Sequence, residues 1–179
     1  MEKAREHDTI SDLQRALSLF KCSKDSDIEQ FLHDKAIEYN ARRVCYTYLI
    51  CDEEAFDKGE ISVQAYFTLS MKNIAFSTEV CNSQKRKISG YTDRTSEPVV
   101  LIGQLGKYIS EDFVANISLG EILNFADEII QNATDLIPCR ASLVECSFQV
   151  HDKGLYSNEG YKYLQQDGTL YQYYKPISE

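Results

Sequence analysis

Apolar residues recur at helical spacing twice near the start of the chain. Leu13, Leu17 and Phe20 predict a helix over residues 11–20. Ile28, Phe31, Leu32, Ala36 and Ile37 predict a second over 27–43, with Ser26 or Asp27 as its N-cap. The period then changes. The run VCYTYLIC at 44–51 is rich in β-branched and aromatic residues and predicts a strand, as does ISVQAYFTLSMKNI at 61–74. The polar segment 52–60, containing Gly59, turns one into the other as a long antiparallel hairpin.

Residues 75–97 lose clear periodicity and read as a mostly irregular loop. They hold the concentrated basic stretch Lys85, Arg86, Lys87 and Arg94. Pro98 then introduces a strand over 99–107, interrupted by Gly103 and Gly106, and glycines inside a strand suggest a bulge or a close backbone approach. The clearest helix of the chain follows over 119–136. Ile122, Leu123, Ala126, Ile129, Ile130 and Ala133 line one face, and Pro138 stops it. ASLVECSF at 141–148 predicts another strand, residues 149–157 a short helix, and 162–175 a strand pair turned at Asp167 and Gly168. The order α, α, β, β, β, α, β, α, β, β has no internal repeat. It implies an α/β (α+β) fold, a mixed sheet with helices on both faces, in a single domain over 1–179.

Composition narrows the function classes. Hydrophobic residues make up 43% and charged residues 26%, as in ordinary folded chains. Nineteen Lys and Arg against 28 Asp and Glu give a net charge of −9, which disfavours diffuse attraction to nucleic acid or anionic lipid. The polar first residues carry no apolar leader, and no later run is long enough to span a bilayer, so a cytoplasmic protein with no membrane partner is expected. The six cysteines, at 22, 45, 51, 81, 139 and 146, form no CxxC pair, so reduced, mostly buried thiols are expected and no metal is indicated.

Three segments carry a family resemblance. FKCSKDSDIEQFLHDKA at 20–36 resembles the F-x-C-x(n)-L-x-x-F-L-x-x-x-A opening of prophage- and toxin-type members of the GNAT superfamily of acyl-CoA N-acyltransferases. EPVVLIGQLG at 97–106 is similar to that branch's P-V-x-x-L-G-R-L-A strand. QVHDKGLYSNEGY at 149–161 is similar to N-x-x-A-x-x-F-Y-x-x-x-G-F, with Leu155, Tyr156, Gly160 and Tyr161 matching and Gln149 in the Asn position. The diphosphate loop Q/R-x-x-G-x-G/A corresponds to Ala115, Asn116, Ile117, Ser118, Leu119 and Gly120, where only the last glycine is kept.

The resemblance implies a GNAT-like, mostly antiparallel central sheet and acetyl-CoA as cosubstrate. It implies that backbone N–H groups of Leu105, Gly106 and Lys107 meet the acyl carbonyl and pantetheine. Asn116, Ile117, Ser118, Leu119 and Gly120 would cradle the diphosphate beside Gln149, a task suited to a loop running into a helix N-terminus. Tyr156 is the expected proton donor to the departing coenzyme A sulfur. Glu111, Glu145 and His151 are candidate general bases, none of them assigned; Cys146 reads as core rather than nucleophile.

The leading expectation is an N-acetyltransferase acting on an unidentified primary amine, of a small molecule or a protein. One alternative is a GNAT-fold binding or regulatory module that has lost catalysis along with the loop consensus at Ala115 and Ser118. Another is toxin-type acetylation of aminoacyl-tRNA, with Lys85, Arg86, Lys87 and Arg94 as its small basic footprint; the −9 total ranks nucleic acid below a small amine. A homodimer is left open.

Overall fold

In the computed structural model, which describes residues 2–177, the chain order is α1 (Glu2–Leu19), α2 (Ser26–Asp34), α3 (Ala36–Ala41), β1 (Tyr46–Cys51), α4 (Glu53–Asp57), β2 (Val63–Ala75), α5 (Asn82–Ser89), β3 (Ser96–Lys107), α6 (Leu119–Thr134), β4 (Ala141–Cys146), α7 (Phe148–Asp152), α8 (Leu155–Asn158), β5 (Lys162–Asp167) and β6 (Leu170–Pro176). The strands hydrogen-bond in the order β1-β2-β3-β4-β6-β5. β3 and β4 run parallel over Val100↔Ser142 to Ile102↔Val144, joined through α6 as a parallel pair requires. β4 and β6 are antiparallel from Ala141↔Pro176 to Cys146↔Tyr171, and β5 is antiparallel to β6. The sheet is mixed and mostly antiparallel, as expected.

Several sequence expectations are corrected. Residues 27–43 form two helices, because Lys35 takes φ −120° and ends α2. The N-cap is Asp25, whose carboxylate accepts the N–H groups of Asp27 and Ile28, and not Ser26 or Asp27. Residues 75–97 are not all irregular, since 82–89 are α5, closed at Gly90 in the left-handed region with φ 82°. Residues 52–60 include α4, capped by Asp52. Pro98 lies inside β3 rather than before it, and the helix at 149–157 is broken at Gly154, φ 62°. Two cysteines are buried, three are half-buried and Cys81 is exposed, so the thiols are less buried than expected.

The chain divides into two compact units, through both of which β2 and β3 run. The first comprises Met1–Thr68 with Gln104–Ser118. Its core packs Leu17 and Phe20 of the α1 end against Phe31, Leu32 and Ala36 of α2 and α3 and against Val63 and Tyr66 of β2. Tyr66 is fully buried and donates its hydroxyl to the carbonyl of Ile28 at 2.6 Å, fixing α2 on the strand.

The second unit comprises Leu69–Gly103 with Leu119–Glu179. One sheet face buries Ile74, Val99, Leu143, Leu164 and Tyr174 with Val80 and Ile88, so the amphipathic turn of α5 has a core to cover. Gln165 bridges three elements. Its amide donates to the Ala75 carbonyl and to Gln172, and accepts the Ser77 N–H, which satisfies a polar side chain that is almost wholly buried.

Candidate active site

In the first unit the end of β3 runs into a folded loop. Tyr108 N–H donates to the Gln64 carbonyl at 2.7 Å and Ile109 N–H to the Lys21 carbonyl at 2.8 Å, so the chain is pinned on both sides just after Lys107. It turns at Ser110, whose hydroxyl accepts the Phe113 N–H, and returns so that Ala115 N–H meets the Tyr108 carbonyl at 2.9 Å. Ala115 is only 1% exposed. Its methyl belongs to the core, which is why the position tolerates no long polar side chain.

Gly106 was expected to make room for a ligand. The structure gives it a different neighbour on its side-chain face: a β-carbon there would collide with Cγ2 of Ile28, so the glycine admits α2. Lys107 reaches the loop. Its Nζ donates to the carbonyls of Ala115 at 3.2 Å and Ile117 at 2.9 Å. Asn116 and Ser118 are exposed.

The second unit holds Leu119 and Gly120 in the first turn of α6, together with the 149–161 motif. A β-carbon on Gly120 would lie 2.5 Å from Oε2 of Glu159, so a carboxylate already stands against the first turn of α6, where the partial positive charge of the helix attracts it. Glu159 was missed by sequence reasoning. Nothing in its spacing marks it, although it sits inside the motif between Tyr156 and Gly160. Gln149, on α7, is exposed.

Tyr156 lies on α8, which Gly154 opens in the left-handed region and Gly160, φ 84°, follows. Its ring packs 6.1 Å from Tyr161 and 6.2 Å from Tyr173. Burial, with a smaller push from Cys146, raises its hydroxyl to about 12, and that hydroxyl makes no hydrogen bond among the described residues. On a half-buried side chain, it is a protonated donor with no acceptor among the described residues. Tyr161, by contrast, is engaged: its hydroxyl contacts Ser142 at 3.3 Å, and Lys175 stands over its ring while paired with Asp127 at 2.7 Å.

The three candidate bases are otherwise occupied or solvated. His151 shares a 2.6 Å hydrogen bond through Nδ1 with the Tyr173 hydroxyl and stacks on Tyr171 at 4.0 Å. Glu145 receives Lys72 at 2.6 Å and Gln172 at 2.7 Å on one oxygen. Glu111 is on the exposed turn before Phe113. Cys146 is buried, and burial pushes its thiol up, away from nucleophilic character.

No family profile and no curated protein sequence matches the chain. Solved structures do match it. The toxin AtaT complexed with acetyl-methionyl-tRNAfMet superposes with a TM-score of 0.69 at 18% identity over 89% of this chain and 86% of that one. A tyrosine-to-phenylalanine variant of AtaT, bound to the C-terminus of the antitoxin AtaR and to acetyl-CoA, gives 0.65 at 15% identity over 90% and 85%. A tyrosine-to-phenylalanine variant of KacT gives 0.66 at 18% identity over 90% and 87%. The chain has the GNAT fold. β3 ends at Lys107, ahead of residues 115–120, and α7 and α8 lie within residues 149–161. Among the described residues no helix is long and apolar enough to cross a membrane, and no His, Cys, Asp and Glu side chains cluster as a metal site.

Proposed function

We propose that the protein is an acetyl-CoA-dependent N-acetyltransferase whose acceptor is the α-amino group of an aminoacyl-tRNA. The observation that supports the reading is Tyr156, a half-buried tyrosine whose hydroxyl stays protonated and has no hydrogen-bond partner among the described residues, at the position to which the family resemblance gives the donor to the leaving sulfur. The neutral amine attacks the thioester carbonyl. Tyr156 hydrogen-bonds the leaving sulfur as the C–S bond breaks, and the acylated nitrogen sheds its proton to solvent. A thiol titrates near 8.5, so full transfer from a tyrosine at about 12 is uphill, and the hydroxyl stabilises the thiolate by hydrogen bonding.

The acceptor follows from the missing base. His151 and Glu145 are tied to Tyr173 and to Lys72 with Gln172, so the enzyme is best served by an amine that is already neutral. An α-amino group titrates at about 7.7–8.0 and a lysine at about 10.4, so at pH 7.5 roughly a third of the former but roughly a thousandth of the latter is free to attack. The match to AtaT in complex with acetyl-methionyl-tRNAfMet supports the same acceptor class, and together they reverse the order suggested by the net charge. The test is transfer of labelled acetyl from acetyl-CoA to a pool of charged tRNAs, compared with lysine-bearing peptides and small amines. Labelled aminoacyl-tRNA that is lost on mild deacylation supports the reading. Label found only on peptides or small amines overturns the acceptor, and none on any of the three overturns the activity.

A further inference from the structure

Tyr156 sits on a single helical turn that its own sequence neighbourhood does little to hold. α7 and α8 have five and four residues, too few to keep a helical shape alone, and Gly154 separates them at φ 62°. Gly160, φ 84°, turns the chain again just beyond α8. The direction of the Tyr156 hydroxyl is therefore set by the rings against which its own ring rests, Tyr161 at 6.1 Å and Tyr173 at 6.2 Å.

Tyr173 lies on β6 and is 3% exposed. Its hydroxyl shares the 2.6 Å hydrogen bond with Nδ1 of His151 on α7. His151 is itself fixed, its ring laid on Tyr171 at 4.0 Å and 20°. Tyr171 and Tyr173 are two residues apart on β6 and so project from one face of the strand. The contacts Tyr171 to His151, His151 to Tyr173 and Tyr173 to Tyr156 all lie within the second unit, and they join the sheet to both short helices. An apolar ring at position 173 would pack as well as tyrosine, so the paired hydroxyl adds orientation rather than bulk.

We infer that His151 and Tyr173 are positioning residues for Tyr156: the hydrogen bond between them fixes the Tyr173 ring, and with it the turn of α8, so that the Tyr156 hydroxyl meets the leaving sulfur. This rests on the acetyl-transfer reading above. It gives a task to a histidine whose hydrogen bond to Tyr173 keeps it from serving as the base.

The experiment is a double-mutant cycle on transfer from labelled acetyl-CoA, run with whichever of charged tRNA, lysine-bearing peptide or small amine takes label from wild type. Turnover number and KM for acetyl-CoA are measured for wild type, Tyr156→Phe, Tyr173→Phe and the double variant. Tyr173→Phe keeps the ring and is expected to lower turnover by roughly threefold to tenfold, the effect of one hydrogen bond, with KM within about twofold of wild type. In the Tyr156→Phe background the same change is expected to cost less than about twofold, because the hydroxyl it orients is gone. His151→Ala is expected to match Tyr173→Phe. His151→Asn, whose amide can stand where Nδ1 stands, is expected to recover most of the loss. If Tyr173→Phe proves insoluble, the two His151 variants in both Tyr156 backgrounds are read in the same way. Equal losses in both backgrounds mark a merely structural support and overturn the inference. Wild-type turnover in Tyr173→Phe overturns it too, as does a loss confined to KM or a His151→Asn no better than His151→Ala. Unchanged turnover in Tyr156→Phe removes the donor, and the inference with it. Wild type that labels no acceptor removes the transferase reading itself, and the inference falls with that reading.

Discussion

Three candidate site residues, Tyr156, Gly106 and Gly120, separate chemistry from packing by their signatures in stability and turnover. Tyr156 is half-buried and its hydroxyl has no hydrogen-bond partner among the described residues, so Tyr156→Phe is expected to change Tm little. Turnover is expected to fall on the order of 10²-fold, the lower end of general-acid effects, because at about 12 the group donates a hydrogen bond rather than a whole proton. An unchanged turnover number with acetyl-CoA and the acceptor would return Tyr156 to packing. The glycines differ for a steric reason. A methyl on Gly106 meets Cγ2 of Ile28, a β-branched side chain on a helix pinned by Tyr66, so Gly106→Ala is expected to cost about 1–3 kcal/mol. On Gly120 it meets only the mobile end of Glu159, which swings away, and alanine favours the helix, so Gly120→Ala is expected to be neutral or stabilising. Urea melts of both variants decide it; equal costs would mean that α2 yields as easily as a free carboxylate.

At the scale of elements, legibility follows how many apolar positions an element must bury. α6 announces itself because Ile122, Leu123, Ala126 and Ile130 are all core, and β4 because Ala141 to Val144 are buried in succession. α5 buries only Ile88 and Ser89, adjacent at its end, so eight residues offered no period to read; its start at Cys81 and Gln84 and its Gly90 cap were the available signals. The break between α2 and α3 at Lys35 carries no glycine or proline and was hidden by continuous periodicity. A candidate site residue can be named from sequence where a motif fixes the type, as at Tyr156. The contacts of Lys107 with the Ala115 and Ile117 carbonyls and of Glu159 with Gly120 join residues whose spacing carries no motif. Gly154 breaks the helix expected over 149–157. Its φ of 62° is the reason, and since nothing lies within 4 Å of a β-carbon there, Gly154→Ala isolates backbone strain. The expected cost is about 1–2 kcal/mol, with a turnover loss exceeding any loss of acetyl-CoA affinity because α8 aims Tyr156. Wild-type turnover in a destabilised Gly154→Ala would show that the turn does not position the hydroxyl.

Charge and titration act on the whole molecule. Buried tyrosines in both units resist ionisation: burial pushes up Tyr66 in the first, and Tyr156 and Tyr161 in the second. Their neutral forms are held in the folded state, so this stability is complete below pH 10, the unfolded value, and is lost as pH rises from 10 toward 12 and beyond. Thermal melts should show a steep fall of Tm over that interval; a flat profile would mean that the rings are solvated. The acceptor makes a second demand. A polyanion must bind a chain carrying −9, through local cations alone. Arg94 is set 3.5 Å from Glu97 in a charge contact without a hydrogen bond, which removes it from the count, and Lys85, Arg86 and Lys87 remain on α5. Three phosphate contacts predict a log–log salt slope of about −2 to −3, a loss of roughly twenty- to sixtyfold in tRNA affinity between 50 and 200 mM salt. Replacing all three by alanine should flatten that slope toward zero, whereas Arg94→Ala should leave it unchanged. A slope that persists in the triple variant would place the tRNA on another surface, and a slope much steeper than −3 in wild type would require cations beyond α5.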